Sequence, residues 1–203
     1  METIIEAFSV LFVVLGPVDN AATFAALTKG FTPVHRRRTA LKAVLVATLV
    51  MVVFAVFGDD ILSFLGVEMF SLQIAGGILL LLAAIQMVMA EAEKKPQEEV
   101  SDKEIAIFPM AMPLIAGPDA IVSIAMLVSK AGPTLSHQAG VIAVMFVVLA
   151  LVYLALLGSG WLVRLLGEQG IEIITRILGL LLAALAVEFI IEGLQASMLF
   201  SGT

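Results

Sequence analysis

The chain has 203 residues, 61% hydrophobic and 14% charged, with a mean hydropathy of +1.12 and a formal charge of −6. A soluble domain is about half apolar and about a quarter charged, so this composition belongs in a bilayer. No cysteine is present, which excludes disulfides, thiol nucleophiles and thiolate metal sites.

Six apolar stretches follow in order: Ile4–Leu27, Thr39–Gly58, Met69–Ala90, Ile105–Val128, Gln138–Leu157 and Ile174–Ala196. Each approaches or exceeds the ~20 residues with which a helix crosses the hydrocarbon. The N-terminal METIIEAF lacks the basic start of a signal peptide, so the first stretch is expected to be retained. The first stretch contains Leu15-Gly16-Pro17-Val18-Asp19-Asn20, and the fourth contains Phe108–Ser123 with Gly117-Pro118-Asp119. Proline removes a backbone donor and clashes with the preceding turn, so each Gly-Pro predicts a break in a helix. Backbone freed inside a membrane is tolerated only where protein or a wet cavity covers it, and an ionisable side chain there marks a functional site.

The connections differ in charge. The first holds Lys29 and Arg36 to Arg38, with Lys42 just beyond, and Gly30 and Thr32-Pro33 read as a helix stop followed by a cap and restart. The second runs from Gly58-Asp59-Asp60 to Glu68 and holds no basic residue. The third, 91–104, is a charged linker. The fourth holds only Lys130, and the fifth holds Arg164, with Arg176 beginning the last span. Alternate assignment puts nine or ten Lys and Arg on one side and one on the other, so the first, third and fifth connections are expected in the cytoplasm and both termini outside. Trp161 and Arg164 are expected as interfacial anchors, and His35 and His137 as interfacial residues rather than zinc ligands.

The halves match in order. Gly16-Pro17 pairs with Gly117-Pro118. GDDILSFLG, 58–66, pairs with GSGWLVRLLG, 158–167. The Gln73-Ile74-Ala75-Gly76 run pairs with Arg176-Ile177-Leu178-Gly179. Three spans per repeat force the second copy to enter from the opposite side. The expected fold is therefore an all-α integral membrane protein of six transmembrane helices in two inverted-topology repeats, 1–90 and 105–203, with discontinuous first and fourth helices.

Such folds bind substrate where the broken helices meet. The half-helices beginning near Asp19 and Asp119 offer free N–H groups, and the carbonyls of Gly16 and Gly117 are expected to be free to accept from an ammonium or a cation. Asn20, Thr23 and Ser123 add neutral polar groups. The candidate substrate site is thus Gly16, Pro17, Asp19, Asn20, Thr23, Gly117, Pro118, Asp119 and Ser123. Asp19 and Asp119 either cap their half-helices or bind a cation, a coupling proton or a substrate ammonium. Glu188 is a further ion-coupling candidate, because intramembrane carboxylates face the bundle interior. Gly76, Gly77 and Gly179 read as close-packing surfaces and Met110 and Met112 as gap-fillers.

FPMAMPLIAGPDAI resembles the FPLAxPLLAGPGAI signature of the MarC/SnatA family of small inner-membrane proteins of bacteria and archaea. TKGFTPVHRRRTAL and ITRILGLLLAALAVEFIIEG agree with it, and the resemblance covers essentially the whole chain. It implies six spans in two inverted repeats with discontinuous first and fourth helices. Some members are similar to transporters of small neutral amino acids such as glycine and alanine. The family's first motif reads like NPIGNxPxF; here Gly16 replaces the Asn, Asp19 the Gly and Ala22 the second Pro, and in the second motif Asp119 replaces a Gly. Both copies are therefore expected to gain a carboxylate at matching positions. That favours a cation, a cationic substrate, or one carboxylate as the coupling group.

The leading expectation is a secondary transporter or exporter of a small solute, small neutral amino acids first, coupled to H⁺ or Na⁺. A cation or metal exporter using both Asp is the alternative, and an intramembrane aspartyl protease a remote one, since residue 118 is proline where a Gly-x-Gly-Asp context would need glycine. No catalytic residue, resident metal, cofactor or nucleic-acid partner is expected; the lipid bilayer is, and a homo-oligomer is compatible with the sequence.

Overall fold

The computed structural model describes residues 2–28, 30–89, 106–132 and 134–200. The linker 91–104 lies outside them. Every regular element among the described residues is helical: α1 Glu2–Leu15, α2 Pro17–Leu27, α3 Pro33–Leu65, α4 Met69–Met89, the π-wound α5 Ala106–Ile115, α6 Pro118–Lys130 and α7 Leu135–Phe200. α7 is two helical arms, 135–166 and 168–200, joined at Gly167 with φ 66° and ψ 172°.

Five described segments are long and apolar enough to cross a membrane: Ile4–Leu27, Pro33–Gly58, Phe70–Met89, Leu135–Gly167 and Gln169–Ser197. The fourth stretch, 105–128, is discontinuous, as expected from its Gly-Pro. It is divided into α5 and α6, and Ile105 itself lies outside the described residues. Two expected connections are also helical. α3 continues through Gly58-Asp59-Asp60 to Leu65, and the fifth connection is absorbed into α7 up to the Gly167 kink. Polar residues at a helix end need not end the helix; only a backbone change does so. Gly66 supplies it after α3, at φ 68°, its N–H bonding the carbonyls of Leu62 and Ser63. At the start of α3 the Thr32 hydroxyl accepts from the His35 N–H at 3.3 Å, with Pro33 in the first helical position.

Glycines in the left-handed region recur at corresponding places in the two halves. Gly30 (95°) and Gly132 (75°) follow α2 and α6, and Gly66 (68°) and Gly167 (66°) lie at the far ends of α3 and the first arm of α7. α4 packs against the second arm of α7. A Cβ on Gly77 would lie 2.7 Å from the Ala186 carbonyl, one on Gly179 would lie 2.9 Å from the Met87 Cβ, and one on Gly193 would lie 3.0 Å from the Phe70 carbonyl. Partners descend along one helix as they ascend the other, so the two run antiparallel, held close by small residues.

The core gathers Leu11, Leu15, Phe24, Met110, Ile115 and Leu149, all fully or nearly fully buried. The outside is as apolar as the inside: Leu49, Phe64, Leu154 and Leu180 are exposed. With backbone bonds closed within helices, that surface suits hydrocarbon.

Candidate functional site

The two breaks differ in their backbone. Gly16 separates α1 from α2 at φ 45°, ψ 64°, a left-handed conformation natural to glycine. Gly117 precedes α6 in extended backbone at φ −70°, ψ 167°, open to other residues. Pro17 and Pro118 each open the following half-helix, two residues or one before the expected starts at Asp19 and Asp119. Before the second break α5 closes with a wide turn, the Ala116 N–H reaching the Ala111 carbonyl at 2.9 Å. Such π geometry, in a run holding Pro109 and Pro113, recurs at functional sites.

Three expectations about these residues are corrected. The carbonyls of Gly16 and Gly117 are not free: they accept from the Asn20 and Ile121 N–H groups, each at 3.0 Å, because each glycine is the N-cap and its carbonyl takes the first helical bond. For the same reason neither aspartate is the N-cap residue of its half-helix, and neither N-cap has a side-chain bond. The carboxylates are also out of register. Asp19 is the third helical residue after Gly16 and Asp119 the second after Gly117. One residue is about 100° of helix, so the two side chains stand at different phases relative to their own breaks.

Their partners differ accordingly. Asp19 Oδ1 accepts from the Thr175 hydroxyl in the second arm of α7, tying α2 to the last helix. The Asp119 carboxylate lies against the backbone N–H groups of its own residue and Ala120, at the positive end of α6. Both carboxylates are largely but not wholly covered. Thr23 and Pro118 retain exposure, whereas Gly16, Pro17, Gly117 and Ser123 are buried. Asn20, 5% exposed, holds the first break together, because its Nδ2 donates across it to the Leu15 carbonyl at 2.6 Å. Asn20→Ala should strand that carbonyl at a cost of roughly 1–3 kcal/mol. A lowered unfolding temperature in detergent checks this.

Glu188, expected to face the interior, lies instead on the exposed side of α7. The buried stripe there runs through Leu182, Ala186, Phe189 and Gly193, at steps of four, three and four residues, and Glu188 falls off it. Arg176 pairs with Glu172, one turn back, at 2.5 Å on the surface.

Thr175 and Arg36 carry contacts that the sequence does not announce. Arg36, one of several basic residues in the first connection, reaches inward from the first turns of α3. It donates through Nη2 to the Ser159 hydroxyl, lies 5.7 Å from the centroid of the Phe24 ring, and abuts Gly160. The small residues of Gly158-Ser159-Gly160 were the available signal, since they leave room for a guanidinium. A cavity of about 360 Å³ adjoins the second break, lined almost wholly by apolar groups including Phe54, Leu62, Ala116, Pro118 and Val122. Asp119 and Ser123 are not part of its wall.

The sequence pattern of the MarC family, described as MarC family integral membrane protein, matches residues 1–198. The chain belongs to the MarC family. It is similar to a UPF0056 membrane protein of Archaeoglobus fulgidus, 37% identical, covering 95% of this chain and 92% of that one. A UPF0056 membrane protein of Methanocaldococcus jannaschii is 34% identical, over 98% and 99% of the two chains. The Escherichia coli UPF0056 inner membrane protein YhgN is 31% identical, over 98% and 99%. No solved structure matches. Membership of the MarC family makes the chain an integral, multi-pass membrane protein, in agreement with the five spans.

Proposed function

We propose that this MarC-family chain is a secondary transporter of a small solute in the cell membrane. Small neutral amino acids are the leading substrate class and H⁺ or Na⁺ the coupling ion, with no enzymatic step. The observation that carries this reading is the pair of interrupted helices. Each is broken at a Gly-Pro, each has an aspartate in the first turn after the break, and they stand in corresponding places along the chain. A membrane helix gains nothing structural from such breaks, whereas a transporter needs half-helix ends to meet a charged or zwitterionic solute.

The finer architecture, two three-helix repeats of opposite sense joined by residues 91–104, is supported by the matched left-handed glycines and by the antiparallel α4 and second arm of α7. The positive-inside bias favours both termini on the outer side. The cation-exporter reading asks the two carboxylates to act on one ion. Their different registers and partners leave no specific observation in its favour.

The test is uptake by purified protein in liposomes. Labelled glycine or alanine should accumulate under an imposed proton or sodium gradient. No accumulation under either gradient would count decisively against the amino-acid reading.

A further inference from the structure

On α6, Asp119 is followed by Ser123, Met126 and Lys130, at steps of four, three and four residues. Those steps place them in one stripe along the helix. Ser123 is 0% exposed, and its Oγ is a buried atom without a hydrogen-bond partner. A serine inside a helix ordinarily bonds the carbonyl one turn back. Ser123 leaves that bond unmade, so a polar group stands unpaired one turn beyond Asp119.

At the far end of the stripe Lys130 is ion-paired with Glu192 of the second arm of α7, and its Nζ lies 3.6 Å from Glu6 Oε1 of α1. The same ammonium sits 5.3 Å from the centroid of the Phe189 ring. One side chain thus fastens α6 to the chain's first helix and to its last. The ammonium meets two carboxylates and an aromatic face, which together hold it in place. The stripe therefore runs from the second break, past an unpaired hydroxyl, to a charged fastening at the last residue of α6.

We propose that this stripe of α6 is an access path to the second break, that the Lys130–Glu192–Glu6 bridge is the contact closing it, and that Ser123 and Asp119 receive the ammonium or other cationic group that enters. This rests on the transporter reading and deepens it. Opening the path requires the Lys130 bridge to part, which removes the charged contact tying α6 to α1 and α7 together.

The native chain has no cysteine, so Ser123→Cys supplies the sole thiol. The full chain carrying it, purified in detergent, is exposed to a charged, membrane-impermeant methanethiosulfonate reagent. Labelling should be slow with the bridge intact. Adding Lys130→Gln or Glu192→Gln should raise the rate at least tenfold, and Lys130→Arg, which keeps the charge, should leave it slow. Ala47→Cys, at a fully buried position of α3, should stay unlabelled in the same backgrounds, which separates an opened path from unfolding. Rates at residue 123 that ignore both Gln variants, or that rise as much with Arg, overturn the proposal. Glycine flux separates it from its premise. Labelling that answers to the bridge in a protein without flux of any tested solute removes the transporter reading and keeps the path. Intact flux with labelling blind to the bridge removes the path and keeps the transporter.

Discussion

Gly77→Leu should abolish recovery of folded protein. A single methyl at residue 77 already falls 2.6 Å from the Ile190 Cγ1 and 2.7 Å from the Ala186 carbonyl. The second of these is backbone of the facing helix, which cannot swing aside as a side-chain tip would. Overpacking a core costs about 1–3 kcal/mol where side chains can yield. Here the whole second arm of α7 must withdraw, and the antiparallel seam with α4 goes with it. In lipid that seam has no hydrophobic drive to replace the lost contacts, because the tails are as apolar as the helices. Gly158→Ala is the matched control: nothing lies within 4 Å of its added methyl. The expected result is aggregation of Gly77→Leu on gel filtration in detergent beside a monodisperse Gly158→Ala. A monodisperse, thermally unaltered Gly77→Leu would mean that the two helices do not meet as described.

Asp119→Asn and Asp19→Asn should each cut gradient-driven accumulation at least tenfold while leaving the protein folded. The amide is nearly the same size and keeps an acceptor oxygen. At residue 19 that oxygen can still take the Thr175 proton, and at residue 119 it can still face the first N–H groups of α6. What the substitution removes is the negative charge and the proton-accepting capacity. An ionisable group in a membrane interior is retained for a function, and coupling to an ion is the function proposed. Exchange of labelled for unlabelled substrate across the liposome, without a gradient, should survive whichever substitution affects coupling alone. Loss of exchange as well would assign that aspartate to substrate binding. Because the two carboxylates have different partners, the two variants are expected to divide in this way. Unchanged accumulation in both would return the residues to a structural role.

Much of this is legible from the residues. Gly-Pro in an apolar run marks a broken helix, so both breaks can be placed to within a residue or two. The close-packing role of Gly76, Gly77 and Gly179 follows from small residues in a leucine-rich setting, and the structure puts each against a neighbouring helix. The offset of the aspartates is legible too: with the two Gly-Pro pairs aligned, Asp19 stands one residue further along than Asp119, and one position turns a side chain about 100°. Glu188 is easily misplaced because a leucine-rich helix shows little contrast between its faces. Thr175 lies 156 positions from Asp19 and carries no local mark of its role. Arg36 is hidden among its basic neighbours, and only the folded chain brings it to Ser159. The helical extent of α3 and α7 is equally hard to see, since hydropathy reports where a chain is apolar and not where its backbone stops turning.

That extent matters for how the protein would respond to its surroundings. α3 has 33 residues, and the segment Leu135–Gly167 has the same number. Each is about 50 Å long, against roughly 30 Å of hydrocarbon. Rods of that length must lean or protrude, and their lean adjusts to bilayer thickness. The turnover rate is therefore expected to vary with lipid chain length, thinner membranes drawing these two rods further from the normal.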